Sequence, residues 1–288
     1  MYDSIHLSAS LMMVSSAFLY SIQYLDVKMI SFFGPWTISF FRGATGTTTS
    51  LLLAVLYVDN VLGKKKKELL IRGVLGGLSL ITSFVAVINL DLHIATIIIA
   101  ASPLWTIFFA KKETWKPRYT LASIACIGGL FLSLYRKDYN NKHIIIGTIA
   151  ALCSSMLTSA VNVMVFEVKE EDTIVIVFYS MLCCLLISSP GMIYEQLHPN
   201  GNIVLLRSSS LCQFIELSMA GIFSFLAQSL KTRAIQLSNN LGIIILRYMD
   251  VIFSSIWDVL VFKNKIDTLD VIGMVIIMIS CICIKCCE

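Results

Sequence analysis

Long apolar runs separated by short polar connections recur from one end of this chain to the other. A helix rises 1.5 Å per residue, so a bilayer core about 30 Å thick is crossed by roughly twenty apolar residues, or by as few as about seventeen. By that measure the 288 residues contain ten candidate spans: Ile5–Leu25, Phe32–Val58, Leu69–Ile88, His93–Ala110, Tyr119–Tyr135, Ile144–Phe166, Ile174–Tyr194, Leu211–Leu230, Leu241–Phe262 and Leu269–Ile284. The third and fourth are joined only by NLDL, Asn89 to Leu92, so adjacent helices must run antiparallel. The pattern predicts an all-α polytopic membrane protein, a bundle of ten transmembrane helices. In the fourth span Pro103 interrupts an otherwise apolar stretch. A proline there removes a helical hydrogen bond, a defect that membranes tolerate where neighbouring helices or a water-lined cavity satisfy the freed carbonyl. The break therefore points to a cavity.

Composition agrees with this picture and narrows it. The chain is 57% hydrophobic and 14% charged, against about 25% charged in soluble domains, and no polar block approaches the roughly 50 residues of a small domain. Function must lie among the helices. The net charge of +4 does not indicate nucleic acid, because the basic residues fall mainly in the connections, where they set topology. Lys64, Lys65, Lys66, Lys67, Arg72, Lys111, Lys112, Lys116, Arg118, Lys169, Lys231, Arg233 and Lys285 count to one side; Lys28, Arg136, Lys137, Lys142, Arg207, Lys263 and Lys265 count to the other. With an even number of spans, the bias places both termini in the cytoplasm. The expected setting is a cell membrane, plasma or bacterial inner, with an endomembrane left open. The N-terminal MYDSIHLSAS lacks a basic n-region and a cleavage site, so the first span is expected to be retained. Most of the nine cysteines lie in apolar runs and read as buried thiols; the C-terminal CICIKCCE leaves acylation open.

A repeat underlies the pattern. Shifting the sequence by 145 positions lays Gly76 on Gly221, Ala95 on Asn240 and Ser102-Pro103 on Arg247-Tyr248; by Gly129 and Ser280 the shift has grown to 151. Five spans then match five spans, giving halves 1–138 and 139–288. An odd number of spans per half means opposite insertion, the inverted-repeat plan of secondary transporters.

Ionisable groups inside spans are the sharpest chemical signal, since each costs about 2.5 to 3.5 kcal/mol at the bilayer centre even on lenient scales. Arg247 and Asp250 share one helix face. They read either as a self-neutralising pair or as cavity groups, the arginine for an anionic or carboxylate group and the aspartate for an amine or a proton, with Tyr248 adding a ring and a hydroxyl. Arg42, about ten residues into the second span, reads as a gating or helix-pairing contact. Asn162 and Gln228 read as interhelical hydrogen bonds or cavity donors. Tyr20, Trp36 and Trp105 are candidate cavity aromatics, Ser102 lines the break, and Pro103 is the candidate hinge. Asp258, a turn before Lys263, reads as an interfacial snorkelling residue, and His93, beside Asp91 at a span mouth, as wet and structural. Gly43, Gly46, Gly73, Gly76, Gly77, Gly128 and Gly129 read as close helix packing. HExxH, Gly-rich phosphate-loop and G-x-S-x-G motifs do not occur, and the pair Asp267 and Asp270 reads as a helix start. No enzyme, cofactor or metal is expected.

Two stretches resemble a known family. The run from Arg72 to Leu134, with its Gly-rich helix, central Ser102-Pro103, hairpin acid Glu113 and closing helix, is similar to the EamA-type ten-helix members of the drug/metabolite transporter superfamily. Arg42 in SFFRGA and the run from Thr232 to Val251 match the same family, with departures at Asn264, where the second hairpin acid would stand, and at Val251, where a proline is usual. The resemblance implies a bundle centred on spans three, four, eight and nine, working by alternating access. The expected function is secondary transport of a small organic metabolite across the lipid bilayer. The solute stays open among amino-acid-like, nucleotide-linked and other metabolites, as do a proton or counter-substrate and a homodimer. A receptor or scaffold, or a membrane-embedded enzyme, is the alternative.

Overall fold

The computed structural model describes residues 2–102, 105, 109, 128, 142–198, 210–238, 241–264 and 268–286. Among these residues there is helix and no strand. In chain order the elements are α1 (Tyr2–Met29), α2 (Pro35–Tyr57), α3 (Lys66–Asn89), α4 (Leu92–Ala100), α5 (Lys142–Glu167), α6 (Thr173–Leu197), α7 (Leu211–Leu237), a 3-10 segment η1 (Leu241–Tyr248), α8 (Met249–Leu260) and α9 (Thr268–Cys286). The expected fifth span, Tyr119–Tyr135, lies outside the described residues apart from Gly128. Four of the described helices, α3, α5, α6 and α7, are long and apolar enough to cross a bilayer. Leu52, Val55, Leu56, Leu186 and Leu197 stand well exposed on outer faces, as expected for side chains that meet lipid rather than water.

Local chemistry explains how polar sequence enters this bundle. The run GATGTTTS on α2 closes its hydroxyls onto its own backbone: Thr45 donates to Phe41 O at 2.9 Å, Thr49 to Thr45 O at 2.8 Å and Ser50 to Gly46 O at 2.7 Å. These three hydroxyls are thereby satisfied without a partner helix, whereas Thr47 Oγ1 is buried without a partner. Between α3 and α5 the hydroxyls instead bond across. Ser79 Oγ lies 2.7 Å from Thr158 Oγ1, Ser83 Oγ lies 2.8 Å from Ser154 Oγ, and Ser154 donates to Ser79 O at 2.9 Å.

Helix α6 is the element on which α2 and α3 both pack. Small residues permit the approach: a Cβ added at Gly43 would stand 2.6 Å from Leu185 N, one at Gly46 2.7 Å from Met181 Sδ, one at Gly73 2.8 Å from Tyr179 O, and one at Gly77 3.1 Å from Cys184 Cα. Both ends of α6 are then pinned by carboxylates. Before its first turn, Glu171 accepts the amides of Lys64 at 2.9 Å and Lys65 at 2.7 Å, where α3 begins. In its last turn, Glu195 accepts the amides of Trp36 at 3.2 Å and Thr37 at 2.9 Å and the Thr37 hydroxyl at 2.9 Å. Gly34 has no side chain to cap α2, so a carboxylate from another helix does so, matching the positive end of the helix dipole. The opposite charge does the converse job at the C-terminal end of α3, where Lys28 Nζ donates to Val87 O at 2.9 Å and also to Leu90 O.

Two substitutions test this frame by thermal unfolding of the purified protein in detergent. Gly43→Ala forces one methyl against backbone and is expected to destabilise by about 1 to 3 kcal/mol. Glu195→Ala removes the α2 cap and is expected to cost about 1 to 2 kcal/mol. Unchanged melting in either variant would refute the corresponding contact.

Candidate functional site: a polar cavity inside the bundle

The apolar run Leu241–Phe262 changes winding part-way along. It runs as 3-10 helix from Leu241 to Tyr248 and as α-helix from Met249, so Arg247 and Tyr248 sit at the junction. Such discontinuities at membrane depth leave backbone and side chains facing a site rather than a neighbouring turn. The apolar run that opens at His93 also changes part-way along. Its regular α-helix closes at Ala100, and the Ala101 amide is shared between Ile98 O and Ile99 O, one residue before Ser102. Pro103, the expected hinge, lies outside the described residues.

Arg247 reaches a cavity walled by Tyr20 and Tyr24 of α1, Arg72, Gly76, Ser79, Leu80 and Ser83 of α3, Thr158 and Val161 of α5, and Gln228 and Lys231 of α7. The Arg247 guanidinium lies over the Tyr20 ring, 4.9 Å from its centroid, a cation–π contact worth about 2 kcal/mol when desolvated. Arg72 donates from Nη1 to Ser180 Oγ at 2.7 Å and Ile176 O at 3.1 Å, and from Nη2 to Thr232 Oγ1 at 3.2 Å. Its Nε is buried with no partner, and so is Gln228 Oε1. The space open to the centres of water molecules is about 30 Å³, room for roughly two waters. A drug-sized solute needs a pocket of about 300 Å³ or more, so this conformation is contracted around its polar wall.

The other candidates distribute as follows. Asp250 is buried behind Arg247, outside the cavity wall, with Oδ1 unpartnered. Among the described residues no salt bridge within 4.0 Å joins it to Arg247, so the two are not the self-neutralising pair that their spacing allowed. Tyr248 is buried beside them. Asn162 is fully buried with both amide atoms unpartnered; α5 presents Thr158 and Val161 to the cavity instead. Ser102 is buried and Trp105 half-buried, and neither is in the wall. Trp36 is half-buried at the start of α2, its amide held by Glu195. Arg42 points across the bundle: Nε donates to Ser224 Oγ, Nη1 lies 3.8 Å from Cys184 Sγ, and the guanidinium stands 5.6 Å from the Phe84 ring centroid. It ties α2 to α3, α6 and α7.

Two expectations are corrected. His93 is not wet, and Asp258 does not snorkel beside Lys263: they are 1% and 0% exposed. Asp258 Oδ2 lies 2.5 Å from His93 Nδ1 and accepts the His93 amide at 2.9 Å, while Asn264 Nδ2 donates to Asp258 Oδ1 at 2.8 Å. Asp270 Oδ2 stands 3.4 Å from His93 Nε2. The start of α4, the end of α8 and the start of α9 are thus knotted through one imidazole. Apolar-run boundaries placed these groups at span ends, and span ends read as solvated unless their partners are known.

Arg72, Lys231 and Tyr24 were the cavity residues missed. Arg72 and Lys231 had been counted as connection charges, but α7 continues to Leu237 and buries Lys231 at 7% exposure, with Arg72 at 2%. The signal was helical spacing: Arg72, Gly76, Ser79 and Ser83 form one stripe of α3, and Lys231 follows Gln228 by three residues.

A bundle of apolar helices enclosing a charged, hydrogen-bonding cavity is the architecture of a membrane transporter. The sequence profile of the EamA-like transporter family matches residues 141–286, and the chain belongs to that family, within the drug/metabolite transporter superfamily. It is a multi-pass integral membrane protein that transports small metabolites, not an enzyme. The chain is similar to the pseudopaline exporter CntI of Pseudomonas aeruginosa, 26% identical over 284 residues covering 96% of each chain. It is also similar to human solute carrier family 35 member G1, 25% identical over 274 residues, 86% of this chain and 71% of the relative. A crystal structure with 14% identity superposes over 97% of each chain with a TM-score of 0.70, which speaks for the fold.

If the imidazole knot holds three helix ends together, Asp258→Asn and His93→Gln should each destabilise the fold in thermal unfolding, by about 3 to 5 kcal/mol if the buried pair is charged and about 1 to 3 if it is neutral. The double variant should cost less than the sum, because the two share one contact. Additive losses would refute the coupling.

Proposed function

We propose that the chain is a secondary transporter of ten transmembrane helices, built from inverted five-helix halves 1–138 and 139–288, that moves a small organic metabolite by alternating access. Both termini face the cytoplasm, and the membrane is a cell membrane. The observation that carries this reading is Arg247, buried at the winding change of the ninth span and turned over Tyr20 into a polar cavity between α1, α3, α5, α7 and η1. Such a charge stands at a cost inside a bilayer unless it meets a ligand. The likeness to an exporter and to a solute carrier supports solute movement as the use. Gln228 and Tyr20 join Arg247 as contacts, Asp250 and Tyr248 set its position, and Ser102, Pro103 and Trp105 of the fourth span flex on the other side of the pseudo-symmetry. Arg42 holds the second helix to the moving core. Asn162 supports the wall from α5. A proton or an exchanged solute supplies the driving force, and a homodimer is compatible with the exposed apolar faces.

The test is metabolite partition. Cells expressing the wild-type chain are expected to shift at least one small metabolite between cytoplasm and medium, and Arg247→Ala, inserted at equal level, is expected to abolish the shift. Asp250→Asn is expected to slow it at least tenfold. Wild-type partition in both variants would overturn the site; no shift with correctly inserted wild type would overturn transport.

A further inference from the structure

The wall of the cavity has a charge sign that the function alone does not require. Arg72, Lys231 and Arg247 come from three different elements, α3, α7 and η1, and all three line it. Each is at least nine-tenths buried. Facing one cavity with room for only about two waters, like charges repel one another. The nearby carboxylate, Asp250, is not part of the wall, and among the described residues none of the three cations is in a salt bridge within 4.0 Å. A single aspartate offsets one of three charges at most. Guanidinium groups hold their charge at any physiological pH, so discharge does not relieve the excess. Arg72 spends its Nη groups on Ser180, Ile176 and Thr232 but keeps a buried Nε donor unpartnered. Lys231 has no hydrogen-bond acceptor or ion-pair partner among the described residues. Three cations around one cavity with no carboxylate in its wall, one of them keeping a buried donor unpartnered, describe the complement of an anion with more than one charge.

Resting on the transport reading above, we propose that the solute is a dianionic organic acid, bound between Arg72, Lys231 and Arg247, with the phenols of Tyr20 and Tyr24 packing against its carbon frame. Dicarboxylates and phosphate monoesters share this chemistry. The three-cation cradle selects both against monoanions, which leave more charge uncompensated, and against amines, which meet only positive charge.

The proposal carries a consequence for the empty protein. Lys231 is repelled where it stands, so Lys231→Met is expected to raise the melting temperature of the unliganded protein by a few degrees while removing ligand response. The experiment is thermal unfolding of the purified full chain in detergent at constant ionic strength. The probes are succinate, malate and 2-oxoglutarate; glycerol 3-phosphate and glucose 6-phosphate; and butyrate, glycerol and putrescine. Stabilisation by members of one dianionic set, weakened at least tenfold in apparent affinity by Lys231→Met and by Arg72→Gln, is the expected result, and which set responds separates carboxylate from phosphate. Stabilisation by putrescine, glycerol or butyrate alone overturns the proposal. So does no response to any dianion, or a dianion response that survives in Lys231→Met. Dianion binding without any flux in proteoliposomes leaves the cradle standing and sinks transport.

Discussion

A helix bundle in lipid has no water with which to settle a buried donor or acceptor, and that constraint orders everything in this chain. Backbone groups are settled by helix, the hydroxyls of Thr45, Thr49 and Ser50 on α2 by the carbonyls four residues earlier, and the exposed ends of α2 and α3 by Glu195, Glu171 and Lys28 from elsewhere in the fold. Against that background the polar atoms left unsettled stand out. They include Arg72 Nε and Gln228 Oε1 in the cavity wall and Asp250 Oδ1 near it, along with Gln23, Asn162 and Arg42 Nη2 elsewhere in the bundle.

The same accounting separates two kinds of buried arginine. Arg42 uses its guanidinium to join helices, touching Ser224, Cys184 and Phe84 on three of them. Arg247 instead lies over the ring of Tyr20 and hydrogen-bonds to Tyr24, both residues of the cavity wall. The first lies among helix contacts and the second in the wall of the cavity, although both are single arginines in apolar runs.

Much of this was legible in the sequence. Run length gave the spans, and α2, α3, α5, α6 and α7 lie where it placed them, because a bilayer dictates helix length directly. Gly43, Gly46, Gly73 and Gly77 were readable as contact points because only close approach repays a glycine in a helix. Tyr20, Gln228 and Arg247 were chosen from residue type and depth and share the cavity wall. What the sequence hid was depth near span ends. Arg72 and Lys231 were read as connection charges, and His93 and Asp258 as wet, because hydropathy does not say which neighbouring helix overhangs a terminus. Partnership is a property of three-dimensional neighbours: Asp258 finds His93 across 165 residues of chain.

The 3-10 winding of η1 has a metric meaning. A 3-10 helix rises about 2.0 Å and turns about 120° per residue, an α-helix about 1.5 Å and 100°. Over the eight residues Leu241–Tyr248, rewinding to α would shorten the segment by about 4 Å and rotate its far end by roughly 160°. Nearly half a turn and a few ångströms is the difference between an arginine that faces the cavity and one that faces a helix neighbour. The segment is a screw whose pitch fixes where Arg247 points.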